Sequence, residues 1–177
     1  DKPENWKLID EASQNSKATI DESDPLNPFN RRSLRIQADG KFTLENGGYW
    51  GMNIVAGQSY TFKVAARAID GFAGPIGVKV LNSTGGVLAE GSISKLNDHW
   101  KYYTVDLAPT GSDADAKLQI SGTGKGALFL DMVSLMPKTT WKNHGLRVDL
   151  AESIDALHPS FVRFPGGCWV AGDDLDR

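Results

Sequence analysis

Only one cysteine, Cys168, stands among the 177 residues, so no internal disulfide framework holds the chain together. Basic runs are missing too. The 19 lysines and arginines and 22 acids are scattered in both signs to a formal net charge of -3, with nothing arranged to neutralise a row of phosphates, and nucleic acid is not an expected partner. Hydrophobic residues make up 40% of the chain, yet stretches such as Ala127–Leu130 fall far short of a membrane span, so no membrane partner is expected either. The charged start, Asp1–Asp10, lacks the apolar centre of an export signal; any such signal is expected to have been removed or to lie outside this sequence. His99 and His144 have no acidic or cysteine companions at metal spacing and read as structural or exposed side chains. The length suits one well-cored domain and leaves a remainder too short for a second.

What is present is a run of short alternating segments broken by glycine, asparagine and proline, the pattern of half-buried antiparallel strands. Candidates are Ser33–Gln37, Tyr49–Val55, Ser59–Ala68, Ile76–Leu81, Leu88–Ile93, Lys101–Leu107, Lys117–Ser121 and Ala127–Leu135. Turns are expected between them, including Asp39-Gly40 and Gly122–Gly126. In Ser59–Ala68 the set Tyr60, Phe62, Val64, Ala66 alternates with Thr61, Lys63, Ala65 and Arg67, one set for each sheet face. The expected fold class is all-β, a jelly-roll β-sandwich of galactose-binding-like type, over residues 1–136.

After Pro137 the period changes. Leu146, Leu150, Ala151, Ile154 and Leu157 recur at three and four residues, one stripe of an amphipathic helix that His158-Pro159 ends. Ser160–Phe164 then reads as a short strand and Pro165-Gly166-Gly167 as a tight turn. A helix, a strand and a glycine-rich loop make an α/β piece, so residues 137–177 are expected to be a fragment of an incomplete TIM barrel.

Flat apolar rings beside amides and charges suit the C–H faces of sugars. Tyr49, Trp50, Phe72, Tyr102 and Tyr103 lie at strand ends or turns and are candidate platforms, each equally open to a role in core packing; Trp100 leans towards the core. Asp131 interrupts an apolar strand and, with Asp21-Glu22-Ser23-Asp24, is a candidate ligand set for a structural calcium ion; a solvated charged loop is the alternative.

Ser33-Leu34-Arg35-Ile36, Gly48-Tyr49-Trp50-Gly51-Met52, Gly57–Phe62, Trp100–Tyr103 and Leu130–Leu135 together resemble carbohydrate-binding modules of the family 4 and 9 type. The series Asp131–Pro137, Gly145–Leu150 and Phe161-Val162-Arg163-Phe164-Pro165-Gly166-Gly167-Cys168 resembles the family 51 α-L-arabinofuranosidases. That resemblance implies a sandwich inserted after the first strand of an eight-stranded barrel, with residues 137–177 supplying the first helix, the second strand and its active-site loop. It further implies that Arg163 orients the catalytic carboxylates and that Gly166, Gly167 and Cys168 lie in the arabinose subsite, although many members carry asparagine where Cys168 stands.

The implied chemistry is a retaining hydrolysis with two glutamates on later barrel strands, so no catalytic residue is assigned to this chain, the fragment is expected to be inactive, and no cofactor is expected for catalysis. The expected partner is an arabinose-containing polysaccharide or oligosaccharide, arabinan or arabinoxylan. The parent is expected to be extracellular or periplasmic and open to homo-oligomer formation. The alternative is a structural or oligomerisation insertion that binds no sugar.

Overall fold

The computed structural model describes residues 5–9, 15–161 and 163. Among them are β1 (Lys7–Ile9), β2 (Lys17–Asp21), β3 (Ser33–Asn46), β4 (Met52–Ile54), β5 (Tyr60–Ile69), β6 (Ile76–Leu81), β7 (Val87–Ile93), β8 (Lys101–Leu107) and β9 (Asp113–Pro137). A single 3-10 turn at Trp141–Asn143 and helix α1 (Val148–Ala156) follow. The chain divides into two compact units, residues 1–138 and 139–177; the first carries the strands and the second the turn and helix.

Two long strands organise the first unit. β3 and β9 pair antiparallel from Leu34↔Leu130 to Asn46↔Leu118. On its other edge, the early part of β9 pairs with β6, from Leu81↔Lys117 to Ile76↔Gly122, and the later part with β5, from Ile69↔Ala127 to Tyr60↔Pro137. β2 and β8 extend the layer built on the later part, while β1 and β7 extend the other. The sheet thus folds over on itself into a sandwich, the all-β architecture expected from the alternation.

The fold-over explains why two expected turns are not turns. Asp39↔Lys125 and Gly40↔Gly124 are paired inside continuous strands, with Gly40 at φ 111°. Glycine lets the ladder continue through a bend that a side chain would obstruct: a Cβ on Gly122 would lie 2.7 Å from Phe42 Cζ. The separate strands expected at Lys117–Ser121 and Ala127–Leu135 are consequently one. Tyr49–Val55 shortens to β4, and β1 and β2 are strands that the sequence pattern did not reveal.

Ile36, Phe42, Leu44, Phe62, Val64, Ile76, Ile120, Leu128 and Leu130 fill the space between the layers. Tyr60, Phe62, Val64 and Ala66 point inward as expected, but Ala65 and Arg67 on the opposite face are also buried.

In the second unit α1 ends before His158-Pro159, as the sequence requires. Most of its stripe faces solvent: Leu146, Leu150, Ile154 and Leu157 are each more than half exposed, while Ala151 is buried. Ser160, Phe161 and Arg163 are not in a strand, contrary to expectation; a lone strand has no neighbour to complete its ladder.

Candidate functional site

The aromatic candidates separate by exposure. Tyr49 and Trp50 project from the turn between β3 and β4, 84% and 86% exposed, with ring centroids 4.8 Å apart in an edge-to-face pair. The turn is braced at its start, where Asn46 Oδ1 accepts the Gly48 N–H at 2.7 Å. At its end Gly51 (φ 83°) passes so close to Ala114 and Asp115 that a Cβ would sit 2.7 Å from their backbone. Two large rings are therefore held out on a constrained tip. Tyr102 is about half exposed on β8, with Lys63 Nζ 4.5 Å from its ring centre.

Two candidates are corrected. Phe72 is buried against Phe42, ring centroids 5.7 Å apart, and sits at the glycine bend, so no sugar can reach its face. Tyr103 packs against the core and its hydroxyl accepts the Asn97 N–H at 2.9 Å. In the alternation of β8, Tyr102 faces out and Tyr103 in. Trp100, which leaned towards the core, belongs instead to the outer face.

That outer face carries a row no sequence pattern announced. Thr19↔Arg35, Arg35↔Phe129 and Phe129↔Arg67 are cross-strand neighbours, and Trp100 lies beside Arg67 next to the pair Ala66↔Lys101. The Arg67 guanidinium carbon is 3.9 Å from the Phe129 ring centre and 5.5 Å from that of Trp100, while Arg35 approaches Phe129 at 5.6 Å. Arg67 Nη1 pairs with Asp24 at 3.2 Å, and Trp100 Nε1 donates to the Asp24 carbonyl at 2.9 Å. Phe129 is covered to 3% exposure although it points away from the core. The Nε atoms of both arginines are buried without a hydrogen-bond partner among the described residues. The only sequence signals were Arg67 on the outward register of β5 and Phe129 at an outward position of an apolar run.

The acids proposed for calcium are otherwise engaged. Burial alone would raise the Asp21 carboxyl, but the Ser23 hydroxyl and amide and the nearby Arg35 and Arg67 charges outweigh it and hold the carboxyl below its ordinary range. Ser23 donates to Asp21 Oδ1 through both its hydroxyl (2.6 Å) and its N–H (3.0 Å). Asp131 Oδ1 accepts the N–H of Met132 at 2.7 Å. Among the described residues no group of three or more histidine, cysteine, aspartate or glutamate side chains converges to hold a metal. Asp131 interrupts its apolar run because it lies on the outer face beside a bulge opposite Lys63 and Ala65, with Met132 at φ 49°.

Arg163 is exposed. Gly166, Gly167 and Cys168 lie outside the described residues.

No family model matches the chain. Alpha-L-arabinofuranosidase 2 of Arabidopsis thaliana is 39% identical over 140 residues, 77% of this chain and 20% of that protein. The extracellular exo-alpha-L-arabinofuranosidase of Streptomyces chartreusis is 39% identical over 154 residues, 85% of this chain and 18% of that protein. The chain is a relative of the α-L-arabinofuranosidases. It spans about a fifth of the length of these two relatives. Among solved structures, the arabinose-bound MgGH51 α-L-arabinofuranosidase superposes on 98% of the chain with a TM-score of 0.83 at 26% identity, over 30% of its own length. A CBM4 structure matches 76% of the chain with a TM-score of 0.53 at 17% identity, a likeness of fold. The arabinofuranosidase relationship therefore reaches across both units of the chain, whereas the CBM4 likeness is to the sandwich architecture.

Proposed function

We propose that the chain is part of a family 51-type α-L-arabinofuranosidase that removes terminal arabinofuranose from arabinan or arabinoxylan by a retaining mechanism. In this reading the sandwich is an inserted carbohydrate-binding module of the family 4 and 9 type, and residues 137–177 are a piece of the catalytic barrel. The carrying observation is the superposition of 98% of the chain on an arabinose-bound α-L-arabinofuranosidase. The exposed stripe of α1 supports it, since a helix with an apolar face needs a body to cover that face. Arg163, Gly166, Gly167 and Cys168 would line the arabinose subsite, at the carboxyl end of a barrel strand where barrel active sites form. The two glutamates of the retaining chemistry would come from sequence beyond Arg177, so the chain alone turns over no substrate.

Within the sandwich, the Tyr49–Trp50 tip is the polysaccharide platform, with Tyr102 a further exposed ring. Holding the barrel near its polymer raises the local substrate concentration. Affinity gel electrophoresis on arabinan and arabinoxylan tests this. Retardation of the folded chain, lost in Tyr49→Ala and Trp50→Ala, is the expected result. Unretarded migration of the folded wild-type chain overturns the binding role.

One observation favours the alternative of a structural insertion. Phe129 is capped by two arginines rather than left open, so the middle of that sheet face offers no bare ring to a ligand.

A further inference from the structure

Beyond the pair Leu34↔Leu130 the two long strands part: β9 runs on to Pro137 along β5 alone, while the chain ahead of β3 turns away through Arg32. A pocket of about 290 Å³ opens where they separate, at the end of the sandwich away from the glycine bend. Both layers build it. Trp6 and Asn46 come from the layer of β1 and the end of β3, and Ile20, Leu34 and Leu130 come from the layer of β2, the start of β3 and the later part of β9. Trp6 is partly exposed and packs by its other side on the core.

The lining mixes two chemistries. Arg32, Asn46 and Asp131 share it with Trp6, Leu34 and Leu130. Arg32 is also tied to Glu22 at 3.1 Å. Arg32 and Asp131 each already have a partner, Glu22 and the Met132 N–H, so neither calls for an ionic ligand. It suits a neutral molecule with one apolar face and several hydroxyls. Its volume lies just below the roughly 300–1,000 Å³ of clefts that bury drug-sized ligands, which limits the occupant to about one ring.

The backbone at this place is also unusual. Met132, which lines the pocket, is a non-glycine residue at φ 49°, on the bulge where β9 loses β3 as a neighbour. Left-handed geometry at a side-chain-bearing residue costs energy and persists only where its surroundings fix it, here through the Asp131 carboxylate accepting the Met132 N–H. The bulge carries Asp131 past the end of β3 and into the lining of the pocket.

We infer that this pocket is a subsite for a single neutral sugar ring, the terminal residue of a saccharide, stacked on Trp6 with its hydroxyls meeting Asn46, Asp131 and Arg32. The inference rests on the reading that the sandwich binds carbohydrate, but it uses a different surface from the Tyr49–Trp50 tip.

Saturation-transfer difference NMR on the whole chain, with L-arabinose, D-xylose and D-galactose as probes, tests it. At least one sugar should receive saturation, and Trp6→Ala and Asp131→Asn should each weaken its binding about tenfold. Asp131→Asn keeps an oxygen to accept the Met132 N–H, so it decides the question if Trp6→Ala does not fold. Absence of transfer to all three sugars overturns the pocket, as does undiminished binding by folded Asp131→Asn. Retardation on arabinoxylan gels read beside it separates the two proposals: retarded wild type without monosaccharide binding removes the pocket alone, and monosaccharide binding without retardation removes the polysaccharide platform alone.

Discussion

The guanidinium of Arg67 lies 3.9 Å above the ring centre of Phe129, on the face of the sheet that turns away from the core. Strand register makes this contact, since Arg67 and Phe129 are paired residues of β5 and β9. Burying a guanidinium this deeply requires compensation, which the rings and Asp24 supply together. The result is a second packed layer outside the sandwich core that ties the segment before β3 to β5 and β8.

Arg67→Ala removes the cation and uncovers Phe129 while stranding Asp24 and the Trp100 edge. We expect a loss of about 2–3 kcal/mol, read from urea unfolding. Arg67→Lys should recover only part of it, because an ammonium cannot lie flat against the ring. Equal stability of Arg67→Ala and wild type would mean that the contact is not made in solution.

The lowered carboxyl of Asp21 carries a pH signature. A group whose folded pKa lies below its unfolded value adds stability above the unfolded value, and that stability disappears as pH falls through the folded one. The melting temperature should therefore hold steady on acidification to about pH 5 and decline steeply below pH 4, with Asp21→Asn declining less over the same window. Parallel curves for the two proteins would remove Asp21 from the acid response.

The sequence exposed the strand-rich class, the inward set of β5 and the limits of β6 and β8 because alternation alone decides them. It concealed the fold-over, since glycine signals a turn and a mid-strand bend with the same letter; the pattern at Gly40 and Gly122–Gly126 predicts the former and the structure has the latter. It also concealed which aromatics face out. Phe72 and Tyr103 became core because of what sits across from them, a matter of three-dimensional neighbours that local pattern does not carry. The Arg35–Phe129–Arg67–Trp100 row needed the register of four strands, and no stretch of sequence holds more than one member of it except by distance.

Gly122→Ala tests the fold-over directly. Its Cβ would meet Phe42 Cζ at 2.7 Å and Cε1 at 2.8 Å, and Gly122 does not have a left-handed φ, so the effect is steric rather than conformational. Overpacking at such a site costs about 1–3 kcal/mol. Shortening the opposing ring in Gly122→Ala/Phe42→Leu should restore part of the loss, a coupling that thermal melts of the single and double variants would show. Additive losses would place the two residues apart.

Calcium at Asp131 makes a separate claim. With Asp131 capping the Met132 amide and Asp21 engaged by Ser23, the expected outcome is a melting curve unchanged by chelator. A fall of several degrees, reversed by added calcium, would instead show an ion bound only to the native state and would return Asp131 to the role of ligand.

The stripe of α1 bears on whether the second unit belongs to a larger body. Leu150 and Ile154 are 54% and 57% exposed and line up with Leu146 and Leu157 beside an open groove at Trp141. An uncovered apolar face of this kind promotes association between molecules. Leu150→Glu/Ile154→Glu should therefore reduce self-association of the chain in sedimentation velocity without lowering the melting temperature of the sandwich. The same pair of substitutions in a full-length arabinofuranosidase bearing this segment should destabilise the enzyme by about 2–5 kcal/mol, as expected when charge replaces a helix face packed on a barrel. Tolerance in the longer protein would show that the stripe is not a barrel surface, and the barrel assignment of residues 137–177 would fall with it.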